Sequence, residues 1–225
     1  MSKLILYHGS PDIIEKPIYG KGKIYNDYGR GFYCTEDLDL AKEWACTENM
    51  DGYANQYEIE TEGLKLLKLS SGEYSILHWL AVLMTYRKIR LSTPVMRRGA
   101  DWLKVHFFVP TEEYDVVIGY RADDSYFSFA RAFVNNEISF TQLNYAFKLG
   151  KLGEQFVLKS PKAFDKIHFL SYEVADNRVY YSKRRKRDDE ARHSYFAELE
   201  KEDLDGLYMR DLIREEVGPD DPRIR

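Results

Sequence analysis

Apolar and polar positions alternate with different periods along the chain, and each period predicts an element. Leu4, Ile5, Leu6 and Tyr7 form a short apolar strand that stops at His8-Gly9-Ser10-Pro11. A loop with two prolines and two glycines follows, over residues 11–23, and a second strand takes up residues 32–35. Glu36 or Asp37 then caps a helix running through Trp44, Ala45 and Cys46, its first turn acidic as the helix dipole favours. Alternation over 56–60 and a Leu/Lys mix over 64–69 predict two more strands, separated by Gly63. From Ser71-Gly72-Glu73 onward the period changes to that of a helix, with Ile76, Leu77, Leu80, Ala81, Leu83 and Met84 on a wide apolar face.

Residues 102–109 fit helix and strand equally. The continuous run over 114–119 is a buried strand bounded by Gly119, and it delivers Tyr120-Arg121-Ala122-Asp123-Asp124 into a loop. Helices are expected over 125–133 and 140–149, the latter closed by Gly150. Strands follow from Gln155 and over 166–170, then helical material around Leu199, Leu207, Leu212 and Ile213, with 218–225 loose. This is an α+β chain with a mainly antiparallel β core.

Composition narrows the picture. A chain of 225 residues fits one domain, residues 1–225, able to bury a core of its own. The net charge of −4 calls for no polyanionic partner, and no apolar stretch reaches the ~20 residues of a membrane span. Cys34 and Cys46 read as packing residues of a reducing, cytoplasmic compartment, and no metal-ligand spacing is present. The run Lys183-Arg184-Arg185-Lys186-Arg187, beside Tyr180 and Tyr181, has the ingredients of a nucleic-acid contact. Asp188-Asp189-Glu190 follows at spacings that favour a solvated, internally neutralised helix face instead.

Two segments carry chemistry. His8-Gly9-Ser10 sets a titratable ring and a side-chain-free backbone at a strand end, and Gly29-Arg30-Gly31-Phe32-Tyr33 brings glycines and aromatics into the next strand. Together they resemble the His and Tyr motifs of the ADP-ribosyltransferase superfamily, in the variety typified by poly(ADP-ribose) polymerases and diphtheria toxin. Trp44 stands where that family has a second aromatic, on the helix after the tyrosine. Gln155-Phe156-Val157-Leu158 matches in register the late strand that opens on the family's catalytic glutamate. Glu154 falls one residue early.

The resemblance covers most of residues 4–170 and implies a split, mainly antiparallel β core with packed helices. The segment 73–110 would be a helical insertion and 175–217 a helical extension. It further implies NAD as co-substrate, with Gly9 bonding the nicotinamide carboxamide, His8 and Ser10 holding the adenine-side ribose, and Tyr33 and Trp44 sandwiching the nicotinamide ring. Gln155 would orient the ribose, and the negative charge would come from Glu154 or from Asp123 or Asp124. Arg121, Asp123 and Asp124 also stand where a cleft would meet the acceptor, although an aspartate there caps a helix equally well. The expected activity is mono-ADP-ribosylation of a protein or nucleic acid. Bacterial relatives of this type look like toxins or phage-defence effectors, which implies a neutralising, antitoxin-like partner. Two alternatives stand beside it: a module that holds NAD or ADP-ribose without turnover, and a nucleic-acid-binding protein that uses the basic run.

Overall fold

The computed structural model describes residues 3–122, 124–149 and 153–225, and for residues 124–126, 148 and 149 the backbone alone. The chain sorts into two compact units. One comprises Met1–Lys68, Thr111–Arg121 and Leu152–Arg187, and the other Leu69–Pro110, Ala122–Lys151 and Asp188–Arg225. The class is α+β.

Among the described residues the first unit holds every strand, in two sheets. In the three-stranded sheet, β1 (Lys3–Ser10) pairs antiparallel with β3 (Gly52–Glu60), and β3 with β7 (Ile167–Ala175). The four-stranded sheet runs β2 (Phe32–Cys34), β6 (Glu154–Leu158), β5 (Val116–Tyr120), β4 (Leu66–Lys68), antiparallel except for the parallel pair β4–β5. A single bridge joins β1 to the residue after β2, Tyr7 and Thr35 exchanging both N–H···O bonds at 2.7 and 2.9 Å. Leu6, Cys34, Tyr57, Ile59, Ile118, Phe156, Leu158 and Ile167 form a shared core of buried side chains from both sheets.

Helix α1 (Leu38–Ala45) is capped by Asp37, whose carboxylate accepts the Leu40 N–H at 3.0 Å. It packs on β1 and β3. Two glycines allow this approach, because a Cβ on Gly9 would overlap the Ala41 carbonyl and one on Gly52 the Ala45 carbonyl.

Several expectations need correction. Strand β1 continues through His8-Gly9-Ser10, which pair with Asn55, Ala54 and Tyr53, instead of ending before them. Strand β3 starts earlier than residue 56, and β7 runs on to Ala175, past the expected end near 170. The short helix α6 (Pro161–Asp165), capped by Ser160, is absent from the sequence reading. In the basic run, part of α7 (Asn177–Leu199), Lys183 pairs with Asp39 at 2.9 Å and Arg187 with Glu43 at 2.7 Å. Those two cations are therefore engaged by α1, while Arg184 and Arg185 remain exposed.

The second unit is helical. Its α2 (Ile76–Tyr86) opens on Ser75 and not on Ser71-Gly72-Glu73, because His78 Nδ1 accepts the Ser75 N–H at 3.1 Å and completes a capping box. Trp79, Leu80, Ala81, Val82 and Leu83 are all fully buried, so α2 is apolar around its circumference and needs neighbours on every side. Helix α3 (Pro94–Phe107) packs on it and Phe147 of α5 (Phe140–Leu149) meets Trp79, while α4 (Asp124–Val134) and α8 (Met209–Arg214) pack on α3; together these helices bury Leu103, Phe107, Phe129, Phe133, Leu143 and Leu212. Residues 102–107 thus belong to a helix started by the Thr93 cap and Pro94. The end of the chain is less loose than expected. Asp221 caps a 3-10 turn over Pro222–Ile224, and Ile224 is buried. The expected cap at Gly150 lies outside the described residues. No helix among the described residues is long and apolar enough to cross a membrane.

Candidate functional site

The site is built on the strand ends of the first unit. His8 Nδ1 lies 2.6 Å from the Tyr33 carbonyl oxygen. Because a carbonyl only accepts, Nδ1 must carry the proton, and Nε2 keeps its lone pair. The ring also packs on Phe32, with centroids 4.4 Å apart. Burial lowers the His8 pKa from its ordinary value, partly opposed by the bond to Tyr33, so the imidazole is neutral at pH 7.

Tyr33 is held as firmly. Its hydroxyl donates to the Gly29 carbonyl at 2.6 Å and accepts the Tyr28 N–H at 3.1 Å, locking the turn that Gly29 makes with φ near 75°. Tyr28 in turn donates its hydroxyl proton to the Tyr120 carbonyl, and Lys159 Nζ donates to the Tyr28 carbonyl at 2.6 Å. Gly31 is close-packed as well, since a Cβ there would meet the Val157 side chain. The glycines flanking Arg30 therefore serve the turn and its packing on β6.

Trp44 sits in the last turn of α1, and the Arg121 guanidinium lies against its indole. Burial raises the pKa of the neighbouring Glu43, against the opposing charges of Arg187, Lys183 and Arg121 together.

His8, Gly9, Gly31, Phe32, Tyr33 and Trp44 line one cleft of about 920 Å³. Its remaining wall comes from the loop between β1 and β2, including Asp12, Lys16, Lys21, Lys23 and Asn26, and from Phe164 of α6. Asn55 fixes the start of that loop. Although fully buried in β3, it donates to the His8 and Asp12 carbonyls at 3.2 and 3.1 Å and accepts the Ile14 N–H at 2.9 Å. The sequence reading misses it. An amide inside a run of strand-forming residues, where asparagine is depleted, is the available signal.

The remaining expected site residues are distributed as follows. Ser10 is buried, and its hydroxyl accepts the Asp12 N–H at 3.1 Å, which turns the chain out of β1. Glu154 and Gln155 project to opposite faces of β6. Glu154 pairs with Lys68 at 3.2 Å, whereas Gln155 is 4% exposed and donates through Nε2 to Asp27 Oδ2 at 3.1 Å. Val157 stands directly opposite Tyr33 in the β2–β6 pair. Gln155, two positions from Val157, therefore leaves the sheet by the same face as Tyr33. Asp123 lies outside the described residues, as does the Asp124 side chain. The carboxylate that does touch Gln155 is Asp27, which no sequence pattern marks.

The family described as "Protein of unknown function (DUF3990)" covers residues 4–169, a span that includes every residue named above as lining the cleft. No curated protein and no solved structure matches the chain.

Proposed function

The chain belongs to the DUF3990 family, and we propose that it is an NAD-dependent mono-ADP-ribosyltransferase whose cleft takes the dinucleotide and whose acceptor is a protein or a nucleic acid. The observation that carries this reading is the convergence of His8, Gly9, Tyr33 and Trp44, from separate parts of the sequence, on one cleft. A volume of about 920 Å³ is at the upper end of small-molecule pockets and suits a ligand as large as a dinucleotide. The two paired sheets and their single bridge are what an ADP-ribosyltransferase-type split core would need.

In this reading the neutral His8 ring accepts a ribose hydroxyl proton through Nε2, and Gly9 brings the β1 backbone to the nicotinamide carboxamide. Tyr33 and Trp44 flank the nicotinamide ring. The glycosidic bond breaks with its electron pair passing to the nicotinamide nitrogen, and C1′ acquires oxocarbenium character that a polar group at the ribose must stabilise. We assign that role to Gln155, which leaves β6 on the same face as Tyr33 but is buried and not itself among the residues that line the cleft. The acceptor nucleophile then bonds to C1′ and loses its proton. A neutralising partner protein, as bacterial relatives of this type suggest, would have to cover this cleft or its rim.

One observation favours a second reading, a module that binds NAD or ADP-ribose without turnover. Position 155 offers a neutral amide, and Glu154 is turned away to Lys68. A single experiment separates the two. The full chain is incubated with a cell lysate and NAD labelled in its adenylate half, and protein is then separated from nucleic acid. Transfer predicts free nicotinamide and label fixed covalently in one fraction. A rise in melting temperature with NAD but no nicotinamide supports binding alone, and neither effect overturns both readings.

A further inference from the structure

An ADP-ribosyl transfer needs negative charge near the ribose as C1′ becomes cationic, and Gln155 supplies none by itself. Glu154 cannot serve, because it leaves the opposite face of β6 and pairs with Lys68 at 3.2 Å. Behind Gln155 stands Asp27, 5% exposed, whose Oδ2 accepts from Gln155 Nε2 at 3.1 Å. Its position is fixed from both sides. Asn26 lines the cleft, and the Tyr28 N–H is bonded to the Tyr33 hydroxyl at 3.1 Å.

We infer that Asp27 is the positioning and charge-supplying partner of Gln155, so that the pair performs the work of one carboxylate; the inference rests on the transferase reading above. The chemistry follows from donor and acceptor identity. An ionised Asp27 would only accept hydrogen bonds, and in the structure it is the Gln155 NH₂ group that turns to it. The carbonyl oxygen Oε1 is left to accept the proton of a ribose hydroxyl. A charge on Asp27 would also polarise the amide, and in a low-dielectric site the chain ribose O–H···Oε1, Nε2–H···Oδ2 is strengthened throughout. With no such partner the amide could turn over and present a donor to the ribose.

The relation between the two residues makes the test specific. Asp27→Asn removes the charge and lets the side chain offer either end to Gln155. Nicotinamide release at saturating NAD should fall roughly tenfold to a hundredfold, with the KM for NAD changing less than about threefold because the cleft lining is untouched. Gln155→Glu alone puts two carboxylates within hydrogen-bond distance, where like charges oppose ionisation, and it should also slow release by roughly tenfold or more. Combining the two substitutions lets the amide introduced by Asp27→Asn donate to the carboxylate introduced by Gln155→Glu, so the double variant should exceed both single variants.

That sign reversal is something a merely structural Asp27 would not produce. The inference is overturned if Asp27→Asn turns over NAD within twofold of wild type, or if the double variant is no faster than Asp27→Asn. Should Asp27→Asn fail to fold, the Gln155→Glu variant decides alone, and wild-type or higher activity there overturns it. A wild-type protein that neither binds nor cleaves NAD brings down the transferase reading first. An active wild type with an indifferent Asp27→Asn brings down only this inference.

Discussion

Replacing Gly9 by alanine tests how the site is held. An ideal methyl at Gly9 overlaps the Ala41 carbonyl oxygen and stands 2.9 Å from Ala45 N and 3.0 Å from Trp44 Cβ. Non-bonded carbons prefer separations of about 3.5–4.0 Å, so β1 or α1 must retreat by roughly an ångström. Neither retreats easily. Strand β1 is paired along its length with β3, and α1 is pinned by the fully buried Ala41 and by the 1%-exposed Leu40. Overpacking of this kind costs about 3 kcal/mol, which in a chain of this size lowers the melting temperature by about 6–12 °C. Because the obstructed helix carries Trp44, affinity for NAD should fall in the same variant. Gly72→Ala is the matched control. It has nothing within 4 Å of the added methyl and no positive φ, and it should stay within about 0.5 kcal/mol of wild type. Thermal and urea melts of both variants check the pair, and equal melting temperatures for Gly9→Ala and Gly72→Ala would refute the packing argument.

The other predictions concern protons and thiols. Burial lowers the pKa values of both His8 and His78 below their ordinary 6.5, so the unfolded chain binds these protons more tightly than the folded one. The stability they contribute is complete above that value and is lost as pH falls through the folded pKa values. The melting temperature should drop as pH falls below about 6.5, and His78→Gln should flatten that drop; a curve unchanged by the substitution would contradict it. Cys34 and Cys46 are free and 1% exposed, and burial raises both thiol pKa values. A thiol reagent at neutral pH should therefore label the native chain at least roughly a hundredfold more slowly than the urea-unfolded chain, and labelling of both within seconds would show the site region to be open.

What the sequence disclosed depended on how local the cause was. Helix α1 was legible because Asp37 caps it and its apolar residues repeat with a helical period, and β5 because Val116, Val117 and Ile118 run unbroken to Gly119. Residues 171–175 of β7 were not legible. Ser171, Tyr172, Glu173 and Val174 are all exposed, so burial stamps no pattern on them, and the strand exists by pairing with β3. Residues 102–107 stayed open between helix and strand because Phe107-Phe108-Val109 imitates a strand, whereas the governing signals, Thr93 and Pro94, lie well upstream. The site divides in the same way. His8, Gly9 and Tyr33 were legible through the spacing of glycine and aromatic residues. The reason for Gly9 was not, since the room it makes is occupied by α1. Asp27 had no local mark at all: the register of β6 against β2 and the turn fixed by the Tyr33 hydroxyl bring it to Gln155.

The central claim is that the cleft at His8 uses NAD, and release of nicotinamide tests it most directly. Wild-type protein and His8→Ala, both shown to be folded by their melting curves, are incubated with NAD, and free nicotinamide is measured over time. His8→Ala removes the ring whose Nδ1 is fixed to the Tyr33 carbonyl at 2.6 Å. Wild type should release nicotinamide and the variant should not, with NAD binding lost in the variant by calorimetry. Equal release by a well-folded His8→Ala, or wild-type affinity for NAD in that variant, would contradict the account.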